Sequence, residues 1–230
     1  MLRFDFLSDH GAALACISER ADGDCGWRAD VPRAAYLHAC GVVPEHLASV
    51  RQVHGRDIAV ISEDGRGCGA NMAQLKGAPL ADGMVTNVAG LPLGITVADC
   101  VPVFLVAPQA IGLVHAGREG TRLGIAPAAV EALEAQYGVD PASIWALVGP
   151  SAGPCCYEVS EEMAEAWRAE GLPAQGRFLD LWEANRRLLT AANVPDQQIQ
   201  VAGHCTICQH GYHSFRRDGG TARNLAMLCR

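Results

Sequence analysis

Two short apolar runs, Val101–Val106 and Ala110–Val114, constrain this chain more than any other stretch, because only Ala107-Pro108-Gln109 separates them. Runs of this length joined through turn residues predict a β-hairpin. A turn centred between residues 107 and 108 sets Cys100 directly opposite His115. Opposed residues on antiparallel strands have Cβ atoms about 4.5–5.5 Å apart. A thiol and an imidazole at that separation can share one metal ion, or the imidazole can activate the thiol. A buried cysteine and a core histidine that merely face each other satisfy the same pattern, since free cysteine is commonly buried.

The rest of the chain reads as strands and helices interleaved around that hairpin. A helix is expected from Pro32 to Cys40, with proline in its first turn and Gly41 as its stop. Residues 49–54 read as a strand ending at His54, 57–61 as a returning strand, and the stretch from Gly65 to about Leu80 as a loop. Further strands are expected at 83–88 and 93–97. Past His115 the period changes, predicting a helix over 121–137 that Gly138 stops, followed by a strand over 144–148. Ser160 and Asp180 stand where helix N-caps are expected. This alternation, with hairpin connections, belongs to the mixed α/β class. With 230 residues, half of them hydrophobic, residues 1–230 are expected to form a single domain with a substantial core.

Composition excludes several classes of function. A net charge of −7 argues against a general nucleic-acid binder, while leaving room for a small anionic substrate held by local arginines. No stretch has the length of a transmembrane helix. Asp5, Asp9 and His10 interrupt the region where a signal peptide needs an unbroken apolar run, so a cytoplasmic location is expected. Ten cysteines are many for that compartment, where they more often mark metal or redox chemistry than disulfides.

His54, beside a glycine that leaves its ring accessible, is a third candidate ligand next to Cys100 and His115. Three nitrogen or sulfur ligands are the number expected where zinc keeps a fourth position open. Asp82 and Asp99 stand near strand ends, where each can orient a ligand histidine, serve as a general base, or simply cap a turn. Gly117 to Thr121 joins a strand to a helix start, a place where backbone N–H groups suit phosphate. Arg118, Arg216 and Arg217 offer fixed positive charge. Asp82, Asp99, Arg118 and Arg216 are the candidate substrate-binding residues. Cys205 and Cys208 have zinc-knuckle spacing, which His210 or His213 would complete, although no second ligand pair adjoins in sequence. The vicinal Cys155-Cys156 pair is too close for an unstrained disulfide and reads as reduced packing.

Several short motifs, in order from about residue 48 to the C-terminus, carry a resemblance. They are Gln52-Val53-His54-Gly55, Ala81-Asp82, Thr96-Val97-Ala98-Asp99-Cys100-Val101-Pro102 and Val114-His115-Ala116-Gly117. Gly149-Pro150, Cys156-Tyr157-Glu158-Val159, Cys205-Thr206-Ile207-Cys208 and Ser214-Phe215-Arg216-Arg217-Asp218-Gly219 complete the series. Together they resemble the bacterial YfiH-like laccase-domain family, described both as multicopper polyphenol oxidases and as purine nucleoside phosphorylases. The resemblance implies a layered α/β/β/α sandwich with mixed, largely antiparallel sheets. It also implies a catalytic zinc on His54, Cys100 and His115, and phosphorolysis of inosine, adenosine and methylthioadenosine, with adenosine deamination as a second activity to test. The implied partners are purine nucleosides and phosphate, without nucleic acid or membrane, and the chain is expected to be a monomer or weak oligomer. One departure stands out: Arg118-Glu119 follows Gly117 where the family has Trp-Arg, so the arginine has moved by one position. Three other readings remain. A copper-dependent oxidase would need many histidine ligands, often as His-x-His pairs, and the eight histidines include none. A hydrolase would use Cys100 as nucleophile and His115 as base. A non-enzymatic protein would hold zinc for structure.

Overall fold

A computed structural model describes residues 1–69 and 75–230. Its strands in chain order are β1 (Leu2–Arg3), β2 (Leu14–Ile17), β3 (Ile58–Val60), β4 (Gly83–Thr86), β5 (Leu93–Val97) and β6 (Val101–Val106). They continue as β7 (Ile111–Ala116), β8 (Trp145–Val148), β9 (Ala174–Gln175), β10 (Phe178–Leu179), β11 (Ile199–Val201) and β12 (Asn224–Cys229). One sheet has the order β11-β8-β6-β7-β4-β3 and a second has β1-β2-β12-β5, while β9 and β10 form a ribbon. The four-stranded sheet is antiparallel throughout. The six-stranded sheet is parallel only at its margins, where β11 joins β8 and β3 joins β4.

The side-chain alternation of the central hairpin explains the layering. Val101, Val103 and Leu105 point to one apolar core, and Phe104 and Val106 to another. A strand buried on both faces carries an unbroken apolar run. On the outer face the helices Ile125–Tyr137, Glu161–Ala169 and Leu181–Ala191 contribute Leu133, Trp167 and Leu189. On the inner face Phe104, Ile111 and Leu113 meet Ile95, Ala226 and Leu228 of the second sheet. The far side of that sheet, through Leu14, Cys16, Leu225 and Met227, packs on Tyr36 and Leu37 of the helix Asp30–Ala39. The order of layers is therefore α/β/β/α, with mixed and largely antiparallel sheets. Ser160 and Asp180 cap their helices as expected, accepting hydrogen bonds from the Met163 and Glu183 amides.

Four local expectations are corrected. The hairpin pairs Val106 with Ile111 and Pro102 with His115, so its turn is centred between 108 and 109. The Ala107 amide donates to the Ala110 carbonyl (3.0 Å), which extends the pairing to a tighter turn than the sequence reading assumed. Cys100 consequently stands opposite Gly117, and His115 is its diagonal neighbour. A displacement of two residues keeps both side chains on one face, so the thiol and the imidazole still meet. Residues 49–54 are not a continuous strand: a single bridge joins Arg51 to Leu80, and another, just before the stretch, joins Ala48 to Leu93. The helix expected over 121–137 is two helices, Arg118–Arg122 and Ile125–Tyr137, because Gly124 takes the left-handed conformation (φ +77°) between them. The strand expected to reach 88 ends at Thr86. Part of the loop expected up to Leu80, residues 70–74, lies outside the described residues. Among the described residues no helix is long and apolar enough to cross a membrane.

Candidate active site

The start of β6, the end of β7 and the start of β4 share one edge of the six-stranded sheet. Cys100 precedes β6, His115 is the next-to-last residue of β7 at the end away from the hairpin turn, and Asp82 immediately precedes β4. His54 enters from the loop before β3. The donor atoms of His54, Cys100 and His115 all lie within 4.8 Å of one another. The two imidazole rings are 4.9 Å apart and nearly perpendicular, at 78°. Gly117 keeps this space clear: a Cβ there would lie 3.1 Å from Cys100 Sγ and 3.3 Å from His54 Cδ2.

Asp82 organises the three ligands from behind. Its carboxylate is fully buried and accepts hydrogen bonds from His115 Nδ1 (2.8 Å) and from the amides of Val53 (3.1 Å), His54 (2.9 Å) and Gly55 (2.7 Å). The bond to Nδ1 turns Nε2 of His115 toward the site, the usual arrangement behind a metal-ligating histidine. The amide bonds hold His54 in the left-handed region (φ +62°), a conformation that costs a non-glycine residue about 1 kcal/mol or more. Burial pushes the Asp82 carboxyl up, but the bonds from His115 and the Gly55 and Val53 amides outweigh it and hold it below the ordinary carboxylate range. Of the roles open to Asp82 in the sequence, its position fits the orientation of a ligand histidine. Gln52 ties the same loop to β5, donating to the Thr96 carbonyl (2.8 Å) and accepting from the Thr96 amide and hydroxyl (both 3.0 Å).

The electrostatics favour a thiolate. Burial raises the Cys100 thiol, but the charge of His115 and hydrogen bonds from His115 and His54 bring it down to about 6. Burial lowers His115, whereas Cys100 and Asp82 lift it to about 9. At neutral pH the pair is thus a thiolate facing an imidazolium, and a metal ion binding there would displace the imidazolium proton. Two imidazoles and one thiolate, with a buried carboxylate behind one imidazole and open volume in front, fit zinc with an exchangeable fourth position.

That open volume has two compartments. A cavity of about 1020 Å³ is lined by Trp27, Gln52, Thr96, Phe215 and Arg223 together with the three ligands. A cleft of about 110 Å³ is lined by Asp99, Arg118, Tyr157 and Arg216. Ala98, Cys100 and Phe215 line both. The Arg216 guanidinium lies 4.9 Å above the Tyr157 ring and donates to the Glu158 carbonyl (2.7 Å). Arg118 reaches Met163 Sδ (2.8 Å). Among the described residues neither guanidinium is paired with a carboxylate. Asp99 is engaged at both oxygens, by the Thr206 hydroxyl (2.6 Å) and the Arg216 amide (2.7 Å), so it anchors the segment that carries Arg216.

The structure separates neighbours that the sequence groups together. Glu119 points away from the cleft into an exposed ion pair with Arg122 (2.5 Å), so the arginine moved by one position is the one that faces the cleft. Arg217 is a staple, donating to the carbonyls of Thr206 (2.7 Å) and Tyr212 (2.6 Å) and to Asp218. Trp27, Phe215 and Arg223 are not among the candidate site residues of the sequence. An aromatic side chain at a cavity mouth has no local signature, and Phe215, 55% exposed, is marked in the sequence only by its place in the motif Ser214-Phe215-Arg216-Arg217-Asp218-Gly219.

Comparison with known proteins gives a consistent picture. A family model described as multi-copper polyphenol oxidoreductase laccase matches residues 22–230. The chain is 39% identical over 200 residues to the purine nucleoside phosphorylase YlmD of Geobacillus stearothermophilus, covering 81% of this chain and 73% of that protein. It is 36% identical over 212 residues to the adenosine deaminase RL5 of an unknown prokaryotic organism, covering 86% of this chain and 79% of that protein. The crystal structure of YlmD from G. stearothermophilus has a TM-score of 0.87 to this fold at 33% identity, covering 96% of this chain and 92% of that one.

Proposed function

The chain belongs to the multi-copper polyphenol oxidoreductase laccase family, and from that premise we propose that it is a zinc-dependent purine nucleoside phosphorylase acting on inosine, adenosine and methylthioadenosine. The relatives named as purine nucleoside phosphorylases support the reaction class. The observation that carries the reading is the double placement of Cys100, on a cavity large enough for a nucleoside and on a small cleft faced by two arginines.

In this reading phosphate occupies the cleft, where Arg118 and Arg216 hold it through charge-assisted hydrogen bonds. The nucleoside occupies the cavity, its purine against Phe215 and Trp27. A phosphate oxygen forms a bond to the anomeric carbon as the bond to the purine nitrogen breaks. The electron pair leaves with the purine, which takes up the proton that the hydrogen phosphate gives up, and the products are the free base and the sugar 1-phosphate. Holding both reactants in adjoining compartments supplies the orientation such a displacement needs. His54, Cys100 and His115 would hold the zinc, which supplies a Lewis acid beside the cleft and, for adenosine deamination, a water of lowered pKa.

The test is base release from the three nucleosides at two phosphate concentrations, with elemental analysis of the same protein. Release that rises with phosphate and is lost with zinc is the expected result. Full phosphorolysis by zinc-free protein, or release indifferent to phosphate, overturns the proposal. Ammonia release from adenosine measures the deaminase activity. Several copper equivalents with phenol oxidation would favour the oxidase; among the described residues a single candidate metal group contains histidine. A covalent adduct at Cys100 with activity that survives chelation would favour the hydrolase. Nucleoside binding without turnover would favour the non-enzymatic zinc protein.

A further inference from the structure

Four cysteines outside the cavity converge in a way that their sequence spacing conceals. Cys155 and Cys156 lie in the loop after β8, and Cys205 and Cys208 in the loop after β11. These strands are parallel neighbours, so both loops leave the sheet at the same edge. Backbone pairing continues past the strands: the Ser151 amide donates to the His204 carbonyl (3.1 Å), and the Thr206 amide to the Ser151 carbonyl (2.9 Å). Gly153 permits the final approach, because a Cβ there would lie 2.6 Å from the Trp182 ring and 3.1 Å from Cys205 Cβ.

The four sulfurs all lie within 4.8 Å of one another, with Cys155 and Cys208 3.9 Å apart. A tetrahedral zinc with about 2.3 Å bonds to sulfur separates its ligand atoms by about 3.8 Å. The cluster needs only a small contraction to meet that spacing. The Cys205 sulfur is also surrounded by amides, accepting from the Gly153 N–H (3.3 Å) and from those of Ile207 and Cys208. Backbone donors turned toward one sulfur stabilise the form that binds metal.

We propose that Cys155, Cys156, Cys205 and Cys208 bind a second, structural zinc ion. Four thiolates fill its coordination and leave no position for substrate, and none of the four lines either compartment. Neither histidine expected to complete the Cys205/Cys208 pair joins the group: His210 is not among its members, and His213 Nε2 bonds the Gly23 carbonyl (3.1 Å). The second pair of ligands comes instead from a loop about fifty residues earlier, read from sequence as plain packing. The ion would brace the phosphate cleft. Tyr157, which underlies Arg216, follows Cys156, and Thr206, which holds Asp99, follows Cys205.

The experiment is metal titration of the whole protein, stripped by chelator under a phosphine reductant and reloaded with Zn²⁺ or Co²⁺. Wild type should take up two equivalents, and the cobalt form should show an intense thiolate-to-cobalt band. In Cys100→Ala one equivalent and that band should remain. In a Cys155→Ser/Cys208→Ser variant the band should fall severalfold while the other equivalent persists. Both replaced residues are exposed, and circular dichroism checks that the variant stays folded. Alkylation of the wild-type cysteines by iodoacetamide, mapped by peptide mass, gives a second readout independent of mutation. Protection of the four by added zinc is expected. A wild type that binds one equivalent and loses it in Cys100→Ala, or four thiols alkylated equally with and without zinc, overturns the proposal. Both outcomes are read from metal uptake and thiol protection and not from base release, so the second site and the proposed reaction stand or fall separately.

Discussion

The two metal-capable clusters occupy the same edge of one sheet and differ in almost everything else. His54, Cys100 and His115 offer mixed nitrogen and sulfur donors backed by a buried carboxylate, and they face about 1020 Å³ of open space. Cys155, Cys156, Cys205 and Cys208 offer sulfur alone, backed by peptide amides, and line neither the cavity nor the cleft. The edge itself does not decide which cluster can do chemistry. Donor number and adjoining volume do: three ligands beside a cavity leave a position for a reactant, and four ligands without one leave none.

The comparison breaks most decisively at Cys100. Cys100→Ala should lower phosphorolysis beyond the roughly 100-fold effect of removing an outer partner, because it removes a ligand outright. Base release from inosine and zinc per chain measure this, and the fold should persist in circular dichroism. Asp82→Ala should come next. It leaves His115 Nδ1 and three loop amides without their acceptor, so zinc affinity should fall about 10–100-fold. Chemical denaturation should show a loss of about 1–3 kcal/mol, since one buried donor, His115 Nδ1, and three part-buried amides lose their acceptor. The four-sulfur cluster should be untouched by this change.

Arg216→Lys sharpens the distinction between the compartments. Lysine keeps the charge but not the planar fork, so KM for phosphate should rise about tenfold while KM for the nucleoside changes little. An unchanged phosphate dependence would remove Arg216 from the anion cleft. The smallest effect is expected from Glu119→Arg. Its carboxylate is exposed and occupied by Arg122, so KM for phosphate should stay within about twofold and stability within about 0.5 kcal/mol. A marked tightening for phosphate would show that this position reaches the cleft after all.

Much of this molecule was legible in one dimension. The apolar alternation around residues 101–106, the caps at Ser160 and Asp180 and the glycine stop at Gly138 are local features, governed by strand and helix periods and by backbone hydrogen bonding within a few residues. Cys100 and His115 meet even though the hairpin turn lies one position further along than the spacing suggested, because the strand period forgives a slip of two. The combination of short motifs also sufficed to place the chain in its family.

What the sequence alone determined, then, is the mixed α/β class of fold and the approach of Cys100 to His115, set by strand and helix periods and by one tight turn, while the layering was legible only through the family resemblance. Only the tertiary structure decided that Asp82 faces His115 from 33 residues away, that Arg118 and not Glu119 borders the cleft, and that two cysteine pairs about fifty residues apart form one cluster. Each of these depends on which loops leave the same sheet edge and how closely their backbones approach. Strand order and a glycine such as Gly153 set that approach, and no local period in the sequence records it.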